Sequence, residues 1–205
     1  MLRQEQHFMP ELNPERIKEL LEKSYPKIES AAGKDIVVCL GLTGSGKSTA
    51  IAYMLGAPLE KEEGIQGYNI VLKDHPDYPK IGTSSTSETF FPQTYVNKLS
   101  HFTFCDCPGF KDNRSPEEQL MVNINSRLPP RLARTTKIMV TIDINSLLTT
   151  RADSLRNLCE ILGQFIKDSA KIKKSIFFVV TKAEKVNEDK FFDQIEEIIK
   201  RDTET

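Results

Sequence analysis

Residues 41–48 constrain this chain more than any other stretch. They read Gly41-Leu42-Thr43-Gly44-Ser45-Gly46-Lys47-Ser48, a G-x-x-x-x-G-K-S run without a gap. Just before it, Ile36-Val37-Val38-Cys39-Leu40 is a continuous apolar run, the pattern of a strand buried on both faces. Just after it, Ser48 to Leu55 reads as a helix. Strand, glycine-rich turn and helix in that order form a backbone cradle for phosphate. The glycines let successive N–H groups point inward, and the helix N-terminus adds its positive dipole end. Lys47 brings a point charge to the β- and γ-phosphates, and Ser48 offers a hydroxyl to Mg²⁺, which takes oxygen ligands. The competing account is a chance match in a Gly-rich turn, and the flanking strand and helix argue against it.

The rest of the chain alternates in the same way. His101–Cys105, Lys137–Ile142 and Ser175–Val180 read as further strands, with Gly67–Leu72 and Phe90–Val96 as weaker ones. Ser154–Lys167 and Lys190–Lys200 carry apolar residues at helical spacing. Strands alternating with helices predict an α/β fold with a mostly parallel central sheet. Residues 1–33 read as a helical arm, with Asn13 as N-cap, Pro14 at the first helical position, and Ile17, Leu20, Leu21 and Ile28 as its apolar stripe. That arm is either a helix packed on the domain or one that contacts a partner. Residues 56–98 are punctuated by Gly and Pro.

Lys plus Arg is 28 and Asp plus Glu is 29 in 205 residues, a net charge of -1, so no generic nucleic-acid binder is expected. Runs such as Ile176–Val180 are too short to span a bilayer, no signal-peptide stretch opens the sequence, and membrane association is not evident. The expected compartment is cytoplasmic. Cys39, Cys105, Cys107 and Cys159 read as structural core thiols, and His7, His75 and His101 have no metal-spaced partner.

Two more elements complete a site. Asp106-Cys107-Pro108-Gly109 follows the strand His101–Cys105, so Asp106 is expected over the same crevice, holding Mg²⁺ through a water. Gly109 can bring its N–H to the γ-phosphate, so the loop can sense hydrolysis. Alone, such a tetrapeptide is also a common turn. Thr181-Lys182-Ala183-Glu184 follows the strand Ser175–Val180. A carboxylate there can accept two hydrogen bonds from the edge of guanine, with the Lys182 stem along the base plane. The alternative is a helix cap with solvated charges.

These three elements in this order resemble the P-loop GTPases, most closely the septin-like group and, within it, the immunity-associated and avirulence-induced (IAN-type) GTPases. The resemblance covers about Ile36 to Lys200 and implies a three-layer P-loop G-domain over residues 34–205, a guanine nucleotide (GTP or GDP) as ligand and Mg²⁺ as cofactor. It implies that Thr43, Gly44, Ser45, Gly46, Lys47, Ser48 and Thr49 bind the phosphates. Gly109 joins them from the second switch, and Thr181, Lys182 and Glu184 read the base. It also implies a first-switch threonine that seals the metal beside Ser48 and Asp106. On the family's spacing this is Thr86, with Thr83 and Thr89 as alternatives. Lys47 and Thr86 are then the residues expected to assist hydrolysis.

The chain departs from the family at several points. Glu184 stands where an Asp is usual, and Thr43 where Ras-like enzymes have Gly. Phe110 stands in place of the water-positioning Gln, so hydrolysis is expected to be slow and to rise on homodimerisation or assembly through the nucleotide face. The family's last strand, last helix and guanine-backing loop are expected to be missing, a truncated domain. Two other classes compete: an ATPase or nucleotide kinase, for which Arg127, Arg131 and Arg134 would be a faint basic lid, and an assembly module that holds nucleotide without turnover.

Overall fold

Asn13 opens the first helix, α1 (Pro14–Glu29), its side chain accepting a hydrogen bond from the Arg16 N–H at 3.0 Å. The computed structural model describes residues 12–64, 67–72, 75–82, 89–110, 114–149, 153–165, 174–183, 187, 190, 191, 193, 196 and 197. In α1 the buried positions are Leu20, Ser24 and Ile28, each four residues from the last. Leu21, expected on that stripe, is exposed, because it lies about 100° round the helix from Leu20. The helix runs on through Pro26.

The strand expected before the turn is β1 (Asp35–Leu40), and α2 (Lys47–Met54) follows the turn. β2 (Glu60–Gly64) and β3 (Gly67–Val71) form a separate antiparallel hairpin. No apolar alternation marks β2 in its sequence, EKEEG, and only pairing with β3 defines it. β4 (Gln93–Val96) pairs antiparallel with β5 (Thr103–Asp106). The Asn97 side chain accepts from the Leu99 and Ser100 N–H groups and turns the chain between them. β5 therefore starts two residues later than expected and carries Asp106 as its last residue.

A long helix, α3 (Pro116–Leu132), was also not legible as such, although Ser115 and Glu118 form a capping box at its start. Pro129 and Pro130 in its last turn disguise it. The chain continues through β6 (Thr135–Asp143), α4 (Ile144–Thr149), α5 (Asp153–Phe165) and β7 (Ile176–Thr181). Of the helix expected over 190–200, residues 190, 191, 193, 196 and 197 are described, and they are helical.

The five-stranded sheet has the order β4-β5-β1-β6-β7, parallel except for the edge strand β4. β1 lies in the middle, and its side chains alternate between two cores. Ile36, Val38 and Leu40 pack with Val122 of α3 and Leu158 of α5, while Val37 and Cys39 pack with Ile51 of α2. Helices therefore cover both faces. From β1 the chain passes to β5 on one side and to β6 on the other, and such a reversal opens a crevice at the carboxyl ends of the strands.

Cys39, Cys105 and Cys107 are core residues as expected, whereas Cys159 is exposed, beside the buried Leu158 but on the outer side of α5. Arg134 lies far from the crevice: with Thr135 it binds Asp35, at the amino end of β1. Among the described residues, no helix is long and apolar enough to cross a membrane.

Candidate functional site

The turn 41–46 leaves β1 at the crevice and feeds α2. Gly46 is the N-cap of α2 at φ 78°, a left-handed conformation, and it offers no side chain to cap the helix. The first N–H groups of α2, where Lys47, Ser48 and Thr49 lie, are thus left for another acceptor. Gly44 sits at the open outer bend, where an added Cβ would meet nothing within 4 Å.

Lys47 is buried over this turn. Its Nζ donates to the carbonyl oxygens of Leu42 at 3.0 Å and Gly41 at 3.3 Å. Burial pulls its pKa down, and the Asp106 charge partly restores it. Asp106 is 1% exposed at the end of β5. Its Oδ2 accepts from Ser48 Oγ at 2.7 Å and from Thr89 Oγ1 at 3.2 Å. Its Oδ1 has no hydrogen-bond partner among the described residues. Burial raises the Asp106 pKa, and Lys47, Ser48 and Thr89 oppose that rise.

An unpartnered buried carboxylate oxygen beside two hydroxyls is a donor set that fits a hard divalent cation such as Mg²⁺. Ser48 and Asp106 meet as expected. Thr86 lies outside the described residues, as does Thr83. Thr89, the remaining alternative, is the threonine that reaches Asp106.

Gly109 and Phe110 strap the second loop to the turn. The Phe110 N–H donates to the Gly41 carbonyl at 3.3 Å, and the Thr43 N–H to the Phe110 carbonyl at 3.1 Å. Gly109 is required here: a Cβ would lie 2.5 Å from Thr43 Oγ1 and 2.8 Å from Thr43 Cα. The Phe110 ring is buried in the core with Val38 and Leu40. The main-chain N–H of Thr43, a residue expected to contact nucleotide, is engaged by this strap.

Thr181 ends β7 beside the turn. Its hydroxyl donates to the Ser45 carbonyl at 2.9 Å and to that of Ile142 at 3.3 Å, while Ser45 Oγ and Thr141 Oγ1 share a bond of 2.7 Å. Thr181 therefore braces the glycine-rich turn, a role its sequence context does not reveal. Lys182 has φ 58° and its Nζ pairs with the Asp143 carboxylate, a partner that no local motif signals. Asp143 closes the strand β6 that pairs with β7, so only strand register brings the two together. Glu184 lies outside the described residues.

No protein-family description matches the chain, and no curated protein matches it. Among solved structures, the crystal structure of an SsGBP mutation variant aligns with 94% of this chain and 54% of that one, at 13% identity and a TM-score of 0.46. A second SsGBP variant aligns with 93% of this chain and 65% of that one, at 14% identity and a TM-score of 0.34. The chain thus spans between half and two thirds of the solved chains it resembles. Fold and site together define an α/β domain with a mostly parallel sheet and a lysine-bearing, glycine-rich turn at its strand carboxyl ends.

Proposed function

We propose that this chain is a P-loop GTPase domain of the septin-like group, near the IAN-type proteins, that binds Mg-GTP and hydrolyses it slowly. The observation that carries the reading is the arrangement of Lys47, Ser48 and Asp106. A buried cation leans on the turn's own carbonyls, and a buried carboxylate keeps one oxygen open beside the Ser48 hydroxyl. Ser48, Asp106 and Thr89 would hold the magnesium, directly or through water. When bound, that ion neutralises charge on the transferring phosphate.

The chain's own groups then have distinct tasks. The Gly44 and Gly46 N–H groups and the start of α2 hold phosphate oxygens, the Thr43 and Ser45 N–H groups being bonded to Phe110 and Leu42, and Lys47 exchanges its carbonyl partners for them. Gly109 lets its loop approach the turn closely. The Phe110 ring, packed in the core, has no means of orienting water, which supports slow turnover unless a second copy or a partner supplies a group. The guanine preference rests on the Thr181–Glu184 segment.

Competition of GTP and ATP against one fluorescent nucleotide, in excess Mg²⁺, tests the reading. Binding with GTP favoured by about thirtyfold or more, worth about 2 kcal/mol, is expected. Equal competition would make the domain an ATP-binding one. Phosphate release measured over a range of protein concentrations is expected to rise with concentration; nucleotide binding without release would leave an assembly module.

A further inference from the structure

Arg114 stands at the junction between the second loop and α3, immediately before the N-cap Ser115. Its main-chain carbonyl accepts from Gln119 Nε2 at 3.1 Å, which ties its backbone to the first turns of α3. Its guanidinium reaches the other way, to the segment that precedes β4. Nη2 donates to the Thr89 carbonyl at 3.4 Å, and the guanidinium carbon lies 5.0 Å from the centroid of the Phe90 ring. Phe90 meets Phe91 edge-on at 4.7 Å, and the ammonium of Lys27 lies 5.0 Å from the centre of the Phe91 ring. Thr89 is also the residue whose hydroxyl reaches Asp106 at 3.2 Å.

A chain of contacts thus runs from α3 through Arg114 to Thr89, and from Thr89 to the carboxylate that bonds Ser48. Two contacts on adjacent residues, one to a carbonyl and one to a ring face, hold a segment in place and in orientation. Arginine suits this task because its flat guanidinium can lie along a ring face while its fork donates to a carbonyl in a fixed direction, whereas an ammonium is a compact point charge on a flexible stem. The charge of Arg114 is also felt at Lys47, across the same site.

We propose that Arg114 is a positioning residue: it latches residues 89–90 over Asp106, so that Thr89 is held at the cation site. This rests on the nucleotide reading above, and it adds a specific role that no motif assigns. Arg114 acts through Thr89 and is not placed on the substrate. The latch links the two loops that flank the phosphates, so its release lowers affinity for the metal-bound triphosphate more than for nucleotide alone.

The test uses the whole chain with Arg114→Ala, Arg114→Lys and Phe90→Leu. Amide hydrogen exchange of the nucleotide-free protein comes first. Arg114→Ala is expected to speed exchange across residues 89–91 about tenfold, with β1 and β6 unchanged. Next, the Mg²⁺ concentration needed for half-maximal retention of a GTP analogue is expected to rise about tenfold, with affinity in EDTA within twofold of wild type. Arg114→Lys should recover only part of each effect, and Phe90→Leu should weaken both by less than Arg114→Ala. Unchanged exchange at 89–91 would overturn the latch. So would an equal loss of affinity with and without Mg²⁺, or full rescue by lysine. A wild-type chain that binds no nucleotide would instead remove the functional reading, while exchange would still report whether Arg114 holds the segment.

Discussion

Ser48 Oγ and Asp106 Oδ2 lie 2.7 Å apart, joining the first turn of α2 to the last residue of β5. This bond unites two stretches far apart in sequence across the carboxyl edge of the sheet. It also orients the Asp106 carboxylate, so that one oxygen is held by hydroxyls and the other is left open.

Lys47→Met should weaken triphosphate binding about tenfold to a hundredfold, the value of a charge-assisted contact of about 1.5–3 kcal/mol. The nucleotide-free variant should still fold but melt below wild type, because it leaves the Gly41 and Leu42 carbonyls and the buried Asp106 carboxylate without the ammonium. Fluorescent-nucleotide titration and a thermal melt read the two halves separately. Wild-type affinity in the folded variant would dismiss the phosphate role of Lys47.

Gly109→Ala should destabilise the domain by about 1–3 kcal/mol, the usual cost of overpacking. The new methyl would press on Thr43 Cα as well as on its hydroxyl. A second change, Thr43→Gly, should therefore restore only part of the loss, since the backbone remains in the way. Urea denaturation of the single and double variants would check it, and complete restoration would show that the side chain alone sets the limit.

Asn125→Leu should raise stability by about 1 kcal/mol or leave it unchanged. Asn125 is fully buried on α3, and both polar atoms of its side chain lack partners among the described residues. A leucine of similar size removes that uncompensated desolvation. A marked fall in the denaturation midpoint would mean that a bound water satisfies the amide.

Asp35 should make folding acid-sensitive. Hydrogen bonds from Arg134 and then Thr135 hold its carboxyl at about 2, below its ordinary 3.8. The folded state thus binds this proton less readily than the unfolded one. Its stabilising contribution is present above pH 3.8 and is lost as pH falls towards 2. The stability gap between wild type and Asp35→Asn should therefore shrink from pH 6 to pH 2.5, as read by denaturant midpoints. A gap that stays constant would show that the depressed carboxyl contributes nothing.

Much of the fold follows from local pattern. The short apolar run before Gly41 carries the mark of a buried strand, and the Asn13-Pro14 start is readable because capping is a contact between near neighbours. Where the structure departs from the sequence reading, the deciding contacts are distant. β2 exists through pairing with β3, Ser24 is buried because it shares the inward face of α1 with Leu20 and Ile28, and Cys159 is exposed because Leu158 and Leu162 take the inner face of α5.

The site divides in the same way. Gly44, Gly46, Lys47 and Ser48 were legible because a turn that curls its N–H groups inward needs those residue types within a few positions of one another. The sequence alone determined that turn, its flanking strand and helix, and the acidic residue at the end of β5. Only the tertiary structure decided that Thr89 meets Asp106, that Thr181 braces Ser45, that Lys182 pairs with Asp143 and that Arg114 grips Thr89 and Phe90. Each of those contacts joins residues from different elements, whose separation is set by sheet order and helix packing and leaves no periodic trace in the chain.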